Sequence, residues 1–217
     1  MIIKSTRIPT AHSSRIAAYL ANSADNECAT WIRGCPEDLK LLGEISRISG
    51  KQYSVRHFVI SPNEQMTQQD FALVFVEICF EYKVSITSGN RASIVEHVRP
   101  RRSGIGNETH WHVTFPELDL ETGKILSSRF FKIRNEKLAR LCELTLGHPV
   151  VPGQFSKQVH RALTKERPSL DLAPFETALR EAAFAAGQDE NRWLDYRPRL
   201  LSQSKPPMNW TLNNQVV

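Results

Sequence analysis

Two β-rich segments on either side of a turn-forming loop restrict the fold of this chain more than any other feature. Arg91-Ala92-Ser93-Ile94-Val95-Glu96-His97-Val98 ends at Pro100, and Ser103-Gly104-Ile105-Gly106-Asn107 leads into His110-Trp111-His112-Val113-Thr114-Phe115-Pro116. β-branched and aromatic residues suit a pleated surface, whereas proline and glycine end it, so the spacing predicts an antiparallel hairpin with a basic loop. Helical patterns are interspersed with such strands elsewhere, and a hairpin argues against a purely parallel sheet. The expected class is α+β.

Ile2-Ile3-Lys4 reads as a short opening strand. Ser13-Ser14 is placed to cap a helix through Arg15-Ile16-Ala17-Ala18-Tyr19-Leu20, in which Ile16, Tyr19 and Leu20 share a face. A looser stretch with Trp31, Gly34, Pro36 and Gly50 precedes a central strand, Tyr53 to Ile60, ended by Ser61-Pro62-Asn63. Thr67 then introduces a helix reaching about Tyr82, whose Phe71, Val74, Phe75 and Ile78 recur at helical spacing for packing on the sheet. After the Glu121-Thr122-Gly123 turn, Asn135 is positioned to cap a helix through Arg140, Leu141 and Leu144, stopped by Gly147 and Pro149. Phe155 to Leu163 and Phe175 to Ala186 are further helices, and the tail from Ser202 is expected to pack poorly.

The 217 residues correspond to about 1.4 domains of ordinary size, hence one domain with an extension. With 41% hydrophobic and 24% charged residues, the composition is that of a globular protein and excludes disordered, collagenous and disulfide-scaffold classes. The longest apolar run, Ala72 to Val76, is broken by Glu77, and a bilayer requires roughly 20 such residues. No secretory signal pattern follows Met1, so membrane insertion and export are not expected. Cys28, Cys35, Cys79 and Cys142 are scattered without a C-x-x-C pair, which fits reduced thiols in a cytoplasmic protein.

A net charge of +5 suits a polyanionic partner, and its distribution is more telling than its size. Between Arg91 and Arg102 lie four arginines against one acid, Glu96; between Lys124 and Arg140 lie six basic residues against one acid, Glu136.

The chemistry centres on His97, His110 and His112, three of the seven histidines. Residues two apart on a strand point to the same face, so His110 and His112 present their imidazoles side by side, with His97 on the preceding strand. A His-x-His pair alone serves packing or the surface more often than metal binding; the third histidine shifts the balance. Three neutral imidazoles can hold a divalent metal and leave positions open for water or a substrate oxygen, unlike the closed four-ligand cage of structural zinc. Zinc, manganese or magnesium each fit such a donor set. Glu96, next to His97, is a candidate to orient a ligand or accept a proton, although adjacent strand residues face opposite ways, and Trp111 points opposite to its flanking histidines, toward a sheet core. His57 lines the same sheet as a buried, hydrogen-bonded histidine. Asp119 and Glu121 belong to a turn and are expected to be solvated.

At these residues the sequence resembles the relaxases, or mobilisation nucleases, of the HUH endonuclease class, which nick plasmid DNA for conjugative transfer. The resemblance rests on Ile94-Val95-Glu96-His97, then His110-Trp111-His112-Val113-Thr114-Phe115-Pro116-Glu117-Leu118-Asp119, and Glu121-Thr122-Gly123-Lys124 with the basic helix ending near Leu146-Gly147-His148. It takes in Arg56-His57-Phe58-Val59-Ile60-Ser61-Pro62 and the opening segment with Tyr19, covering roughly residues 1 to 165. It implies a central antiparallel sheet flanked by helices and a nuclease domain over 1–165, beyond which residues 166–217 read as a helical extension and flexible tail. It implies that His97, His110 and His112 are the metal ligands. It further implies that Tyr19 attacks the scissile phosphodiester to give a 5′-phosphotyrosine and a free 3′-hydroxyl. Tyr53, Tyr82 and Tyr196 are rivals for the nucleophile, Tyr53 foremost, and Tyr19 is equally compatible with a core aromatic.

The substrate so implied is single-stranded or hairpin DNA at a plasmid transfer origin, with accessory mobilisation proteins as further partners. Arg99, Arg101 and Arg102, on the loop between the ligand strands, are placed to meet its phosphates, and Lys124, Arg129, Lys132 and Arg134 extend the basic track. A solvated charged face is the plainer alternative for these cations. Two other functions fit less of the pattern: a non-catalytic DNA-binding accessory protein with a relaxase-like fold, and a three-histidine hydrolase of small substrates.

Overall fold

A computed structural model of the chain describes residues 1–22, 28–100 and 107–187. Along the chain run β1 (Ile2–Pro9), a short 3-10 turn (Thr10–His12), α1 (Ser13–Ala21), β2 (Cys28–Arg33), α2 (Pro36–Ile48), β3 (Tyr53–Ser61), α3 (Gln68–Tyr82) and α4 (Ile86–Asn90). There follow β4 (Ser93–Val98), β5 (Thr109–Pro116), α5 (Phe131–Leu146), α6 (Ser156–Glu166) and α7 (Ala173–Ala185). The strands form one sheet in the order β1-β3-β5-β4-β2, antiparallel at every pairing. The α+β class and the antiparallel sheet with flanking helices are therefore as expected.

β3 and β5 are interior strands buried on both faces, and they bury polar residues, Arg56, His57, His110, His112 and Thr114, along with their apolar ones. On one face Phe58 and Phe115 meet edge to face at 5.8 Å; there too Phe71 of α3 packs on Trp111 at 5.3 Å and Phe75 on Phe115 at 5.4 Å. α3 is held at its start by a capping box in which Asp70 N–H donates to Thr67 Oγ1 (3.2 Å) and Thr67 N–H donates to Asp70 Oδ2 (2.8 Å). It ends where Lys83 turns left-handed, at φ 55°.

β1 extends to Pro9, well past the predicted Ile2-Ile3-Lys4. Its later residues are polar because they meet specific partners: Ser5 Oγ donates to Asn135 Oδ1 (3.3 Å), and Arg7 Nε donates to Glu117 Oε1 (2.7 Å). Two elements fall in the stretch the sequence left irregular. β2 is an edge strand with an alternating half-buried pattern, and α2 buries only Leu39, Leu42, Gly43 and Ser46. α2 begins with Pro36 in its first turn and Cys35 as cap, whose N–H donates to Asp38 Oδ2 at 2.9 Å. α1 and α2 approach closely at Gly43, where a Cβ would lie 2.6 Å from the Cβ of Ser13.

Three expectations need correction. Ser13 lies inside α1, not ahead of it, and its hydroxyl donates to Thr10 O at 2.8 Å. Asn135 lies within α5, where its side chain accepts from the Tyr82 hydroxyl at 2.7 Å. Asp119 is 2% exposed, accepting from the N–H groups of Ser85 (2.9 Å) and Thr122 (2.9 Å). Burial alone would raise its carboxyl, yet these hydrogen bonds hold it well below the usual carboxylate range.

The chain divides into two compact units, Met1–Leu138 and Ala139–Val217. The first contains the sheet. In the second, Arg140 pairs with Glu143 (2.6 Å), Glu143 also accepts from Val151 N–H (3.2 Å), and Val159, Leu163, Phe175, Leu179 and Ala183 are buried. The tail from Ser202 lies outside the described residues.

At the Pro116 end of β5 a buried ionic cluster joins three adjacent strands. Arg56 of β3 grips Glu117 through both Nε and Nη2, each at 2.9 Å, and Arg7 of β1 adds a third bond at 2.7 Å. Arg56 Nη2 also donates to Leu126 O at 2.8 Å and Ser128 Oγ at 2.9 Å. Removing one partner from such a pair strands a buried charge. Glu117→Gln is expected to lower stability by about 3–5 kcal/mol, read from equilibrium urea unfolding. A loss below about 1 kcal/mol, the range of an exposed pair, would show that the cluster contributes little.

Candidate metal centre

The site is built by strand alternation. His110 and His112 project from one face of β5, and the antiparallel register sets His97 of β4 directly opposite His110 and Val95 opposite His112. Trp111, between the two histidines, faces the other way into the α3 core and is 4% exposed. Glu96 shares that opposite parity, opposite Trp111 in the register, so it does not join its neighbour His97 at the site.

The three imidazoles converge. Ring centroids are 4.5 Å apart for His97 and His112, 5.0 Å for His110 and His112, and 5.4 Å for His97 and His110. One ligand nitrogen from each lies within 4.8 Å of the others, and all three residues are buried. Burial holds His97 and His112 below their ordinary pKa, so both rings are neutral at pH 7, the form that donates a lone pair. Three convergent imidazoles fit a divalent metal ion, and a three-ligand set leaves coordination positions for other oxygens. The donor chemistry admits more than one metal.

Two further contacts orient the ligands. The Nε2 of His97 lies 3.0 Å from the Leu20 carbonyl. A carbonyl only accepts, so Nε2 carries the proton and Nδ1 of the neutral ring keeps the lone pair. Nδ1 of His112 lies 2.8 Å from Nε2 of His57, a buried residue of β3. The sequence places His57 on this sheet as a buried, hydrogen-bonded residue; its partner depends on the β3–β5 register, which sequence periodicity does not fix.

Tyr19 reaches the same place from α1. Ile16, Ala17 and Leu20 are buried, while Tyr19 sits half-buried at the edge of that face. Its ring stands edge-on to His112 at 5.8 Å and to His97 at 6.4 Å. Of its rivals, Tyr82 is 2% exposed and donates to Asn135, and Tyr53 lies under the Arg7 guanidinium at 3.8 Å. Tyr196 lies outside the described residues.

The basic residues are spread more widely. Arg99 follows β4 at the His97 end of the hairpin, its N–H donating to Glu108 O at 3.1 Å. Arg101 and Arg102 lie outside the described residues. Lys124 is exposed on the turn beyond Pro116, past the end of β5 opposite to His110. Arg134 is largely buried against Glu81 (2.8 Å) and stacks over Tyr82 at 3.9 Å, so it is not part of an open basic track. Cys28, Cys35, Cys79 and Cys142 are free thiols. No helix among the described residues is long and apolar enough to cross a membrane.

The buried imidazoles make stability pH-dependent. Burial first, then the nearby His97 and His110, lowers the pKa of His57 from 6.5 to about 3. Below pH 6.5 the unfolded chain therefore binds protons that the folded chain refuses, and stability falls as pH drops. For the metal-free protein this predicts a decline from pH 6.5 to about 4.5, above most carboxylate titration, of up to about 1.4 kcal/mol per pH unit for each such imidazole. The profile is shallower in His57→Gln. Parallel urea titrations of the two proteins check this, and identical slopes would refute it.

No family model and no curated protein matches the chain. Among solved structures, it is similar to the conjugative relaxase TrwC in complex with oriT DNA, with a TM-score of 0.40 and 13% identity over 94% of this chain and 89% of that one. A metal-bound TrwC–oriT structure matches with a TM-score of 0.38 and 14% identity over 94% and 89% of the two chains. TrwC with a 27-mer DNA comprising the recognition hairpin and the cleavage site gives 0.36 and 12% over 94% and 88%.

Proposed function

We propose that the chain is a relaxase-type transesterase that nicks and rejoins one DNA strand at a transfer origin, its nuclease domain spanning residues 1–165 in the cytoplasm. The observation that carries this reading is the position of Tyr19, whose ring abuts His112 and His97 at 5.8 and 6.4 Å. A lone histidine cluster is compatible with many hydrolases. A half-buried phenol packed against one supplies a nucleophile able to form a covalent phosphodiester adduct.

In this reading His97, His110 and His112 hold a divalent ion, which when bound supplies Lewis-acid neutralisation of charge on the phosphate. Tyr19 gives up its phenolic proton to solvent, and its oxygen bonds to phosphorus as the bond to the 3′-oxygen breaks; that oxygen takes a proton from water. The phosphotyrosine retains the bond energy of the original diester, so a 3′-hydroxyl can reseal the strand by the reverse attack. Arg99, with Arg101 and Arg102, is assigned to the phosphates of the incoming strand; Lys124 contacts the strand farther along. The net charge of +5 favours such a partner.

Incubating the protein with labelled single-stranded and hairpin transfer-origin oligonucleotides and manganese is expected to give a denaturation-resistant adduct, which peptide mass spectrometry places on Tyr19. Tyr19→Phe abolishes the adduct but keeps DNA binding. An adduct on another tyrosine would move the nucleophile, and salt-sensitive DNA binding with no adduct would favour the non-catalytic accessory reading. His110→Ala is expected to lose metal uptake and adduct together; full adduct formation by that variant would remove the histidines from the mechanism.

A further inference from the structure

The hydrogen bond between His57 and His112 lies outside the proposed ligand set, yet it determines whether His112 can serve as a ligand. His57 stands on β3 opposite Thr114 of β5, while His112 stands opposite Val59. The two histidines are thus diagonal neighbours on one sheet face, a separation that long side chains bridge. Their rings are nearly parallel, at 16°, with centroids 5.0 Å apart and Nε2 to Nδ1 at 2.8 Å. That centroid distance is close to the nitrogen separation plus one ring radius on either side. The rings therefore lie edge to edge, and the bond runs in their planes, along the lone-pair direction, instead of between stacked faces.

One proton lies between the two nitrogens. If His57 Nε2 were the donor, His112 Nδ1 would be the acceptor, the proton of the neutral His112 ring would sit on Nε2, and neither nitrogen could ligate. If His112 Nδ1 is the donor, its Nε2, which is shielded from solvent, keeps a lone pair. Only the second arrangement suits a metal ligand, and it requires His57 to present an unprotonated Nε2.

We infer that His57 is a positioning residue for the metal centre: its Nε2 accepts the Nδ1 proton of His112, fixing the tautomer and ring orientation in which His112 Nε2 can bind a metal. It does for His112 what the Leu20 carbonyl does for His97. The inference rests on the metal-binding part of the proposed function and is independent of Tyr19 chemistry.

The test uses the full chain with zinc(II) alone, and manganese(II) in parallel, titrated against a chromophoric chelator. His57→Leu removes the acceptor, whereas His57→Gln can keep an amide oxygen near the position of Nε2. Leu is expected to weaken metal affinity about 10–100-fold, and Gln to recover most of it. Equal losses in both variants, or none in His57→Leu, would overturn the assignment. A second readout needs no variant: long-range 1H–15N spectra of the metal-free protein are expected to show His112 protonated on Nδ1. Predominant protonation on Nε2 would overturn the inference even if His57→Leu failed to fold. A wild-type chain that takes up neither metal would overturn the metal reading itself, whereas unchanged affinity in His57→Leu would overturn this inference alone.

Discussion

The pairing of β4 with β5 is the constraint on which the site depends. His97 meets His110 only because the two strands run antiparallel in one register. A slip of a single residue would turn one of the strands over and separate the imidazoles to opposite faces. What fixes the register lies on the other side of the sheet. Trp111 is pinned against Phe71 and Phe115 against Phe75, both on α3, so the apolar face of that helix decides which side of β5 is left for His110 and His112. The chemistry on one face is held in place by ordinary hydrophobic packing on the other.

The sheet buries polar groups near both ends of β5, and it does so by different means. At the Pro116 end Glu117 is fully buried as an ion, which is tolerable because two guanidiniums and a bidentate geometry offset its desolvation. Near the Thr109 end no carboxylate accompanies the histidines among the described residues that form the candidate cluster. His57, His97 and His112 are buried by being kept neutral, which avoids the penalty of an unpaired charge. Neutrality is also what a ligand nitrogen requires, so the condition that lets the cluster fold is the one that lets it bind a cation.

Strong local signals made much of this legible in the sequence. The Thr67 cap, the apolar spacing from Phe71 to Ile78, and the punctuation at Pro100, Gly147 and Pro149 each act within one turn or one strand, and the corresponding elements formed. β2 and α2 escape the pattern because edge strands and surface helices carry weak signals: β2 alternates exposed with half-buried residues and buries none, and α2 turns a glycine and a serine inward where apolar residues would have marked the face. Asn135 and Asp119 were misread for a different reason. Asn135 favours caps by type but is buried by Ser5 and Tyr82, distant in sequence, whereas Asp119 does hold its turn through Thr122 and is buried because Ser85, also distant, donates to it as well. The parity of His110 and His112 could be read from period 2 alone. The diagonal contact from His57 needed the β3–β5 register, and the resemblance supplied Tyr19 where spacing left several tyrosines in contention.

α1 joins the last two pieces. The final carbonyls of a helix lack intrahelical partners, and here the Tyr19 carbonyl accepts from Asn22 N–H at 3.3 Å while the Leu20 carbonyl accepts from His97 Nε2 at 3.0 Å. A ring N–H donated to the negative end of a helix is electrostatically favourable as well. His97 is therefore oriented by the residue that follows Tyr19, and Tyr19 is held against the triad by the helix end that His97 satisfies. The close approach of Gly43 to Ser13 sets the other end of the same helix. Tyr19 and Leu20 are consecutive residues of one helix, so any displacement of α1 would shift the Tyr19 phenol and the carbonyl that supports the His97 tautomer together. The proposed nucleophile and one proposed ligand thus share a single mechanical support.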